Sequence, residues 1–383
     1  MFQRLGGLRT LLMFSTAMLF IISAEFLFSD TLPEDTDIWI LAGQSNMYPG
    51  LAITNPPPQV GTPSPRIMAF SPEKGWSVAV PSQLGPGFIF ANHIIEATTR
   101  SMGLIFCAQG NTSIRDWNPE TAGSLYHKMM DQIRAAGVSP RGILWFQGEN
   151  DASLGWVKGY EESLLCLVDS IRKDTNTPQL PFLYVQLTRF YSGGAIPESW
   201  ETIREIQRRA MHQRSNMFMV SAMDVPLSDQ VHISAEGQHR WARRLAEVAL
   251  SEVYHVPGYG RSITLGAIQV LNGNSATPSI KVHFEGICGR LKAEGRPADF
   301  ELRTDTPTPL APTIFRTDFD PDDPAGILLR VANPMNQPAK LIYGSGAHPF
   351  CNIVDERDML IPAFGPIDIP IGAETPESAA ASK

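Results

Sequence analysis

The chain has 383 residues, enough for one large domain and a smaller companion. Hydrophobic residues make up 43% and charged residues 18%, an ordinary globular balance that excludes wholesale disorder. The formal charge of −8, with no basic run beyond the N-terminus, excludes nucleic acid as the expected partner.

Arg4 and Arg9 precede the apolar stretch Leu11 to Ile22, which runs into the small residues Ser23 and Ala24. That order is the one a secretory signal peptide shows, and residues 1–28 are assigned to it. An uncleaved anchor fits as well, because apolar character resumes at Phe26-Leu27-Phe28, so a membrane tether stays open. Either route predicts an exported protein, secreted, periplasmic or membrane-anchored outside the cytoplasm.

Short apolar runs of buried-strand type follow at Ile38–Ala42, Gly103–Cys107, Gly142–Phe146, Phe182–Val185 and Met217–Val220. Helical periodicity fills the intervals. Leu125, Met129 and Ile133 share a face, with Gly137 as the stop. Leu164, Leu167, Val168 and Ile171 repeat the pattern, as do Ile203, Ile206 and Ala210. The last helix carries Trp241, Leu245, Val248 and Ala249, capped by Ser234. Strands alternating with helices predict an α/β fold with a parallel sheet covered on both faces, over residues 30–261. Between Tyr48 and Pro81 the alternation fails across eight prolines, which predicts a long substrate-facing flap carrying Tyr48 and Trp76.

From Ser262 the period changes to strand-like alternation, as in Ile280-Lys-Val282-His-Phe284 and Ile327-Leu-Leu329-Arg-Val331. Residues 262–371 are therefore expected to form an all-β, sandwich-like domain with its own packed core and no catalytic groups. Residues 372–383, rich in Ala, Ser and Glu, read as a disordered tail. Of the four cysteines, Cys107 and Cys166 fall in apolar patterns and read as buried thiols. Cys288 and Cys351 share the C-terminal part, where pairing stays open because spacing does not supply disulfide geometry.

The polar clusters all follow strand ends: Gly43-Gln44-Ser45-Asn46, Gln109 to Ser113, Gln147 to Asp151, and Asp229 to His232. In a parallel sheet those ends share one edge, where open α/β folds bind ligands. Ser45 has the position of a nucleophile, His232 that of its base, and Asp229 can accept from the other ring nitrogen. Candidate oxyanion donors are the backbone N–H groups of Ser45 and Gly110 and the side-chain amide of Asn150 or Gln147. Gln44, Asn111, Thr112, Arg115, Trp117 and Glu149 are the candidate substrate contacts, with Asn46, Gln109 and Asp116 in the same polar set. No HExxH, CxxC, P-loop or GxGxxG occurs, so neither metal nor cofactor is expected. Met47 replaces the last glycine of G-x-S-x-G, which argues against an α/β-hydrolase elbow.

These blocks resemble the SGNH hydrolase superfamily: Ser45 in GQSN, Gly110, Asn150 in GEND, and His232 with Asp229. Within it the chain is similar to sialate O-acetylesterases and to carbohydrate esterase family six, which includes acetylxylan esterases. WILAGQSNM, WFQGENDA, the DxxH before an RRLA helix, and the Trp200, Arg204, Gln207 helix carry the likeness over residues 37–252. More loosely, His348-Pro-Phe-Cys351-Asn352 is similar to the sialate group. The resemblance implies a flavodoxin-like three-layer domain and a metal-independent O-acetylesterase acting on an acetylated carbohydrate. Two departures are Gly110-Asn111-Thr112 where GGT is usual, and Gly50 placed later after GQSNM than in xylan-type members. A lipase or thioesterase of the same superfamily, and an inactive carbohydrate-binding surface protein, are the alternatives.

Overall fold

The computed structural model describes residues 32–47, 62–305 and 308–369. The N-terminal signal or anchor, Tyr48, Gly50 and the tail lie outside the described residues. Seven strands form one sheet: β1 (Thr36–Gly43), β2 (Ile67–Ser71), β3 (Gly75–Val78), β4 (Ser101–Phe106), β5 (Gly142–Phe146), β6 (Phe182–Gln186) and β7 (Met217–Ser221). Their order is β3-β2-β4-β1-β5-β6-β7, parallel throughout except for β3. The five expected strands give β4-β1-β5-β6-β7, the flavodoxin-like order, with its switch point at β1. The sheet's central strands are buried on both faces, which is why they read as unbroken apolar runs rather than as alternation.

The hairpin of β2 and β3 corrects part of the expected flap. Residues 67–78 extend the sheet, and Trp76 packs into the core beside Phe70 (ring centroids 5.3 Å apart) instead of facing a substrate. Prolines at either end had masked two short strands joined by a turn with Gly75 at φ 71°.

Seven helices accompany the sheet among the described residues: α1 (Pro81–Leu84), α2 (Pro86–Ala97), α3 (Leu125–Ala136), α4 (Glu149–Ser153), α5 (Tyr160–Asp174), α6 (Pro197–Ala210) and α7 (Ala235–Val248). Helix α2 packs on α7, while α5 neighbours both α3 and α6. Gly137 closes α3 in the left-handed conformation, and Ser234 Oγ accepts the Gly237 N–H to cap α7.

The C-terminal part is all antiparallel. Strands β8 (Thr264–Leu271), β9 (Ser279–Glu285), β12 (Thr313–Phe319) and β13 (Gly326–Ala332) form a sheet of order β12-β13-β9-β8. A second sheet has β11 (Phe300–Thr304), β14 (Ala339–Tyr343) and β16 (Phe364–Ile369) in order β11-β14-β16. The short β10 (Lys292–Ala293) and β15 (Ile353–Val354) pair beside them. Phe284 of the first sheet lies 6.3 Å from Phe364 of the second, so inward residues of both build the sandwich interior.

The two parts are also packed against each other, since one apolar cluster runs through both. Buried arginines of α6 and α7 join them. Arg204 donates to Gly346 O and Ala347 O of the β part and to Leu187 O and Thr188 O of the α/β part, and burial lowers its pKa to about 10. Arg244 spans Asp224 and Asp358 O, and Glu201 takes Arg303 from the β part. All four thiols are free; Cys288 and Cys351 do not pair, and Cys166 is exposed rather than buried because it faces outward on α5.

Candidate active site

Ser45 opens the 3-10 turn Ser45–Met47 directly after β1. Gly43 makes that turn possible. Its φ is 121°, and a Cβ there would sit 2.1 Å from Phe146 O, the same carbonyl that accepts the Gln44 N–H at 2.8 Å. On the β7–α7 connection, His232 Nε2 lies 3.0 Å from Ser45 Oγ and its Nδ1 lies 2.7 Å from Asp229 Oδ2. The other Asp229 oxygen accepts the backbone N–H groups of Val231 and His232. Partial burial works against the Asp229 charge, but these donors and the imidazole outweigh it and hold the carboxyl below the usual carboxylate range. An ionised carboxylate there fixes Nδ1–H on the ring and leaves Nε2 free to accept the serine proton.

A buried clamp holds the imidazole segment from beneath. Asn46 Oδ1 accepts the Ile233 N–H at 3.0 Å, and its Nδ2 donates to Val231 O at 3.3 Å, so one side chain grips both neighbours of His232. The same Nδ2 donates to Glu149 Oε1 at 2.8 Å. Burial pushes Glu149 up to about 7, against the lowering effect of that bond. Burial likewise pushes Asp151 up to about 6, opposed by donors from Gln147 and the Ile114 N–H. The Ile114 bond ties the loop after β4 to α4.

Several expected contacts are corrected by burial. Trp117 is fully buried, edge-on against Trp145 with centroids 5.0 Å apart, so it props the site rather than meeting a ligand. Gln44, Asn46, Thr112 and Glu149 are also buried among polar partners. Gln147, one of the two amides considered for the oxyanion, has its Nε2 committed to Asp151 Oδ2, Thr112 O and Gln44 Oε1 and is fully enclosed. Asn150 keeps partial exposure and donates to Asn111 Oδ1 at 3.2 Å. Gly110 neighbours the serine: a Cβ built on it would lie 3.7 Å from Ser45 Cβ. Where GGT is usual, Asn111 takes φ 58°, a left-handed conformation asparagine tolerates, so the loop keeps a glycine-like path.

Asn111, Arg115, Asp116 and Asn150 line a cavity of about 630 Å³ with Leu154 and Trp156. Arg115 lies over the Trp156 ring at 4.6 Å. Its neighbour Asp116 also lines the cavity, with one carboxylate oxygen accepting the Ser113 N–H in a capping box. Trp156 and Tyr191 were not singled out in the sequence, although Tyr191 lies in the non-helical segment after β6 and Trp156 in the one just after α4, which is the signal that could have found them. Among the described residues no cluster of three or more metal-ligating side chains occurs, and no helix is long and apolar enough to cross a membrane.

Comparison with known proteins agrees with this architecture. A probable carbohydrate esterase of Arabidopsis thaliana is 32% identical over 176 residues, 44% of this chain and 64% of that protein. The chain thus spans just under two thirds of that relative. Its solved structure superposes with a TM-score of 0.51 at 28% identity, covering 58% of this chain and all of that one. A carbohydrate acetylesterase from Xanthomonas citri shares the fold over 86% of this chain and 80% of its own, with a TM-score of 0.70 at 20% identity. Residues 35–251 match the family model described as carbohydrate esterase, sialic acid-specific acetylesterase, and the chain belongs to that family.

Proposed function

We propose that the protein is a serine O-acetylesterase that removes acetyl groups from a carbohydrate, with Ser45, His232 and Asp229 as its triad. The observation that carries this reading is the unbroken hydrogen-bonded chain from Asp229 through His232 to Ser45 at the sheet's switch point. His232 Nε2 takes the proton as Ser45 Oγ attacks the acetyl carbonyl carbon. The backbone N–H groups of Ser45 and Gly110 and the Asn150 amide receive the oxyanion. Collapse breaks the ester bond, the sugar oxygen takes the proton from His232, and acetyl-Ser45 remains. Water, giving a proton to the same imidazole, attacks the acetyl carbon; the bond to Ser45 Oγ breaks, His232 returns the proton to that oxygen, and acetate leaves.

The polar lining of the adjacent cavity favours a hydroxyl-rich alcohol over a long acyl chain. Sialic acid esters are one substrate class the family description brings to the reading, beside other acetylated sugars. The basic-then-apolar N-terminus supports export, with that segment as signal or tether.

Hydrolysis of C2, C4 and C8 nitrophenyl esters, beside acetate release from acetylated sialic acid and acetylated xylan, tests the assignment. Activity should fall from C2 to C8. Ser45→Ala and His232→Ala should each lose several orders of magnitude, because a triad acts as a unit. Near-wild-type turnover by S45A would remove the triad, and a maximum at C8 without acetate from any glycan would make the protein lipase-like.

A further inference from the structure

Two exposed aromatic features stand on different parts of the strand-end edge. Trp156, 39% exposed, closes the cavity formed by the loops after β4 and β5, where Asn111 and Asn150 meet. The second is Tyr191, 48% exposed, on the segment after β6. Its ring is stacked on His348 of the β part, with centroids 5.2 Å apart and planes 6° from parallel. Both partners are fixed at their backbones. Tyr191 N donates to Gln230 O, inside the loop that carries Asp229 and His232, and Phe190 N donates to Ala347 O beside His348. Arg189 lies 5.8 Å from the Tyr191 ring and is itself held by Val225 O. The ledge is therefore a rigid, solvent-facing pair contributed by both parts of the molecule, attached directly to the imidazole loop.

Interior packing does not account for it, since both rings face solvent. Its placement relative to the cavity does suggest a use. The cavity is lined by the segments that follow β4 and β5, and the ledge is carried by the segment that follows β6, which is bonded to the loop after β7. In the order β4-β1-β5-β6-β7, with about 4.8 Å between neighbours, the strands that carry the two features are on the order of 10 Å apart, more than one pyranose ring covers. Flat rings match the C–H faces of sugars, and a cavity lined by polar side chains, starting at Asn111 next to the Gly110 that neighbours Ser45, matches their hydroxyls.

From this we infer that the substrate is an oligosaccharide chain rather than a monosaccharide: the acetylated unit sits in the Asn111–Asn150–Trp156 cavity, and a neighbouring unit rests on the Tyr191–His348 ledge. The inference rests on the esterase reading for its chemistry, but the ledge is a binding site in its own right.

The test uses the full chain with acetylated xylose, xylobiose and xylotetraose, and the matching β-1,4-glucose series. In at least one series kcat/KM should rise with length. Y191A and H348A should each reduce that rise about two- to tenfold, the worth of one aromatic contact. H348F, which keeps a flat ring, should restore most of it, and melting temperatures confirm that each variant folds. Independently, unacetylated xylotetraose or cellotetraose should shift an imidazole proton resonance that is missing from the H348A spectrum. Flat length series in the wild type, or a rise unchanged in Y191A and H348A, would overturn the ledge. If the folded wild type cleaves no ester at all, the esterase reading fails, and the resonance titration still decides whether the ledge binds sugar.

Discussion

Asn46 bonds to Val231 and Ile233 on either side of His232, and Glu149 bonds to Asn46, so the pair defines where the imidazole stands. Removing the Asn46 amide frees Val231 O and Ile233 N, so His232 loses its support on both sides. Asn46→Ala should lower kcat about 10- to 100-fold with little change in KM, as expected when a reacting group is displaced by about 1 Å. An equal loss carried by KM would mean that Asn46 binds substrate instead. Glu149 gives a second, pH-linked test. Its ordinary value of 4.5 rises to about 7 on folding, so the folded state binds the extra proton in that window. Stability therefore falls as pH rises from about 4.5 to about 7. Glu149→Gln should remove on the order of 3 kcal/mol of that decline. Thermal midpoints at pH 5 and pH 8 check it, and identical pH slopes for wild type and E149Q would refute it. At this scale the sequence revealed which residue types gather at the edge. It could not separate residues facing solvent from those lying under them, because both follow the same strand ends. That is why Gln44, Thr112, Trp117 and Glu149 read as substrate contacts and are found buried.

The five central strands were legible because double-sided burial leaves uninterrupted Ile, Leu and Phe runs, as in Gly142–Phe146. The β2–β3 hairpin was not, since an edge pair of five and four residues, half exposed and flanked by prolines, carries almost no periodic signal. Helix α7 was legible from its period and also from its cap, and that cap matters for the site because His232 precedes Ser234 by two residues. Ser234→Ala should cost about 1 kcal/mol, and Ser234→Asp should retain most of the stability by offering the same acceptor to the Gly237 N–H. Urea midpoints at constant m-value measure both. A Ser234→Asp protein as unstable as Ser234→Ala would show that the cap bond is not what holds this helix start.

Alternating residues such as Ile280, Val282 and Phe284 announced a β part, but nothing in their pattern announced how firmly it is joined to the rest. The joint is made by arginines spaced along helices α6 and α7, whose partners lie more than a hundred residues away in the chain. Arg204 is the best case. Its guanidinium is fully buried and serves backbone carbonyls on both sides of the joint, among them Leu187 O and Thr188 O after β6 and Gly346 O and Ala347 O beside His348. Replacing it by methionine keeps much of the volume but leaves those carbonyls without their donor inside a closed core. The expected cost is about 3–5 kcal/mol, the range for stripping one partner from a buried charged network. The loss should not stay local, since Phe190 N and Tyr191 N tie the same segment to Ala347 O and to the Gln230 carbonyl in the imidazole loop. Arg204→Met should therefore lower the melting temperature and also increase amide exchange at Tyr191 and in the Asp229–His232 loop, some distance from the substitution. Chain truncation after Arg261 should be more severe, giving insoluble or unfolded protein, because it uncovers Arg204, Arg244 and the apolar cluster they border. Denaturation and hydrogen-exchange measurements on R204M, with solubility and circular dichroism of residues 32–261, test this account. A soluble, cooperatively folding 32–261 fragment would show instead that the β part is an appendage and that the joint contributes little to the α/β part.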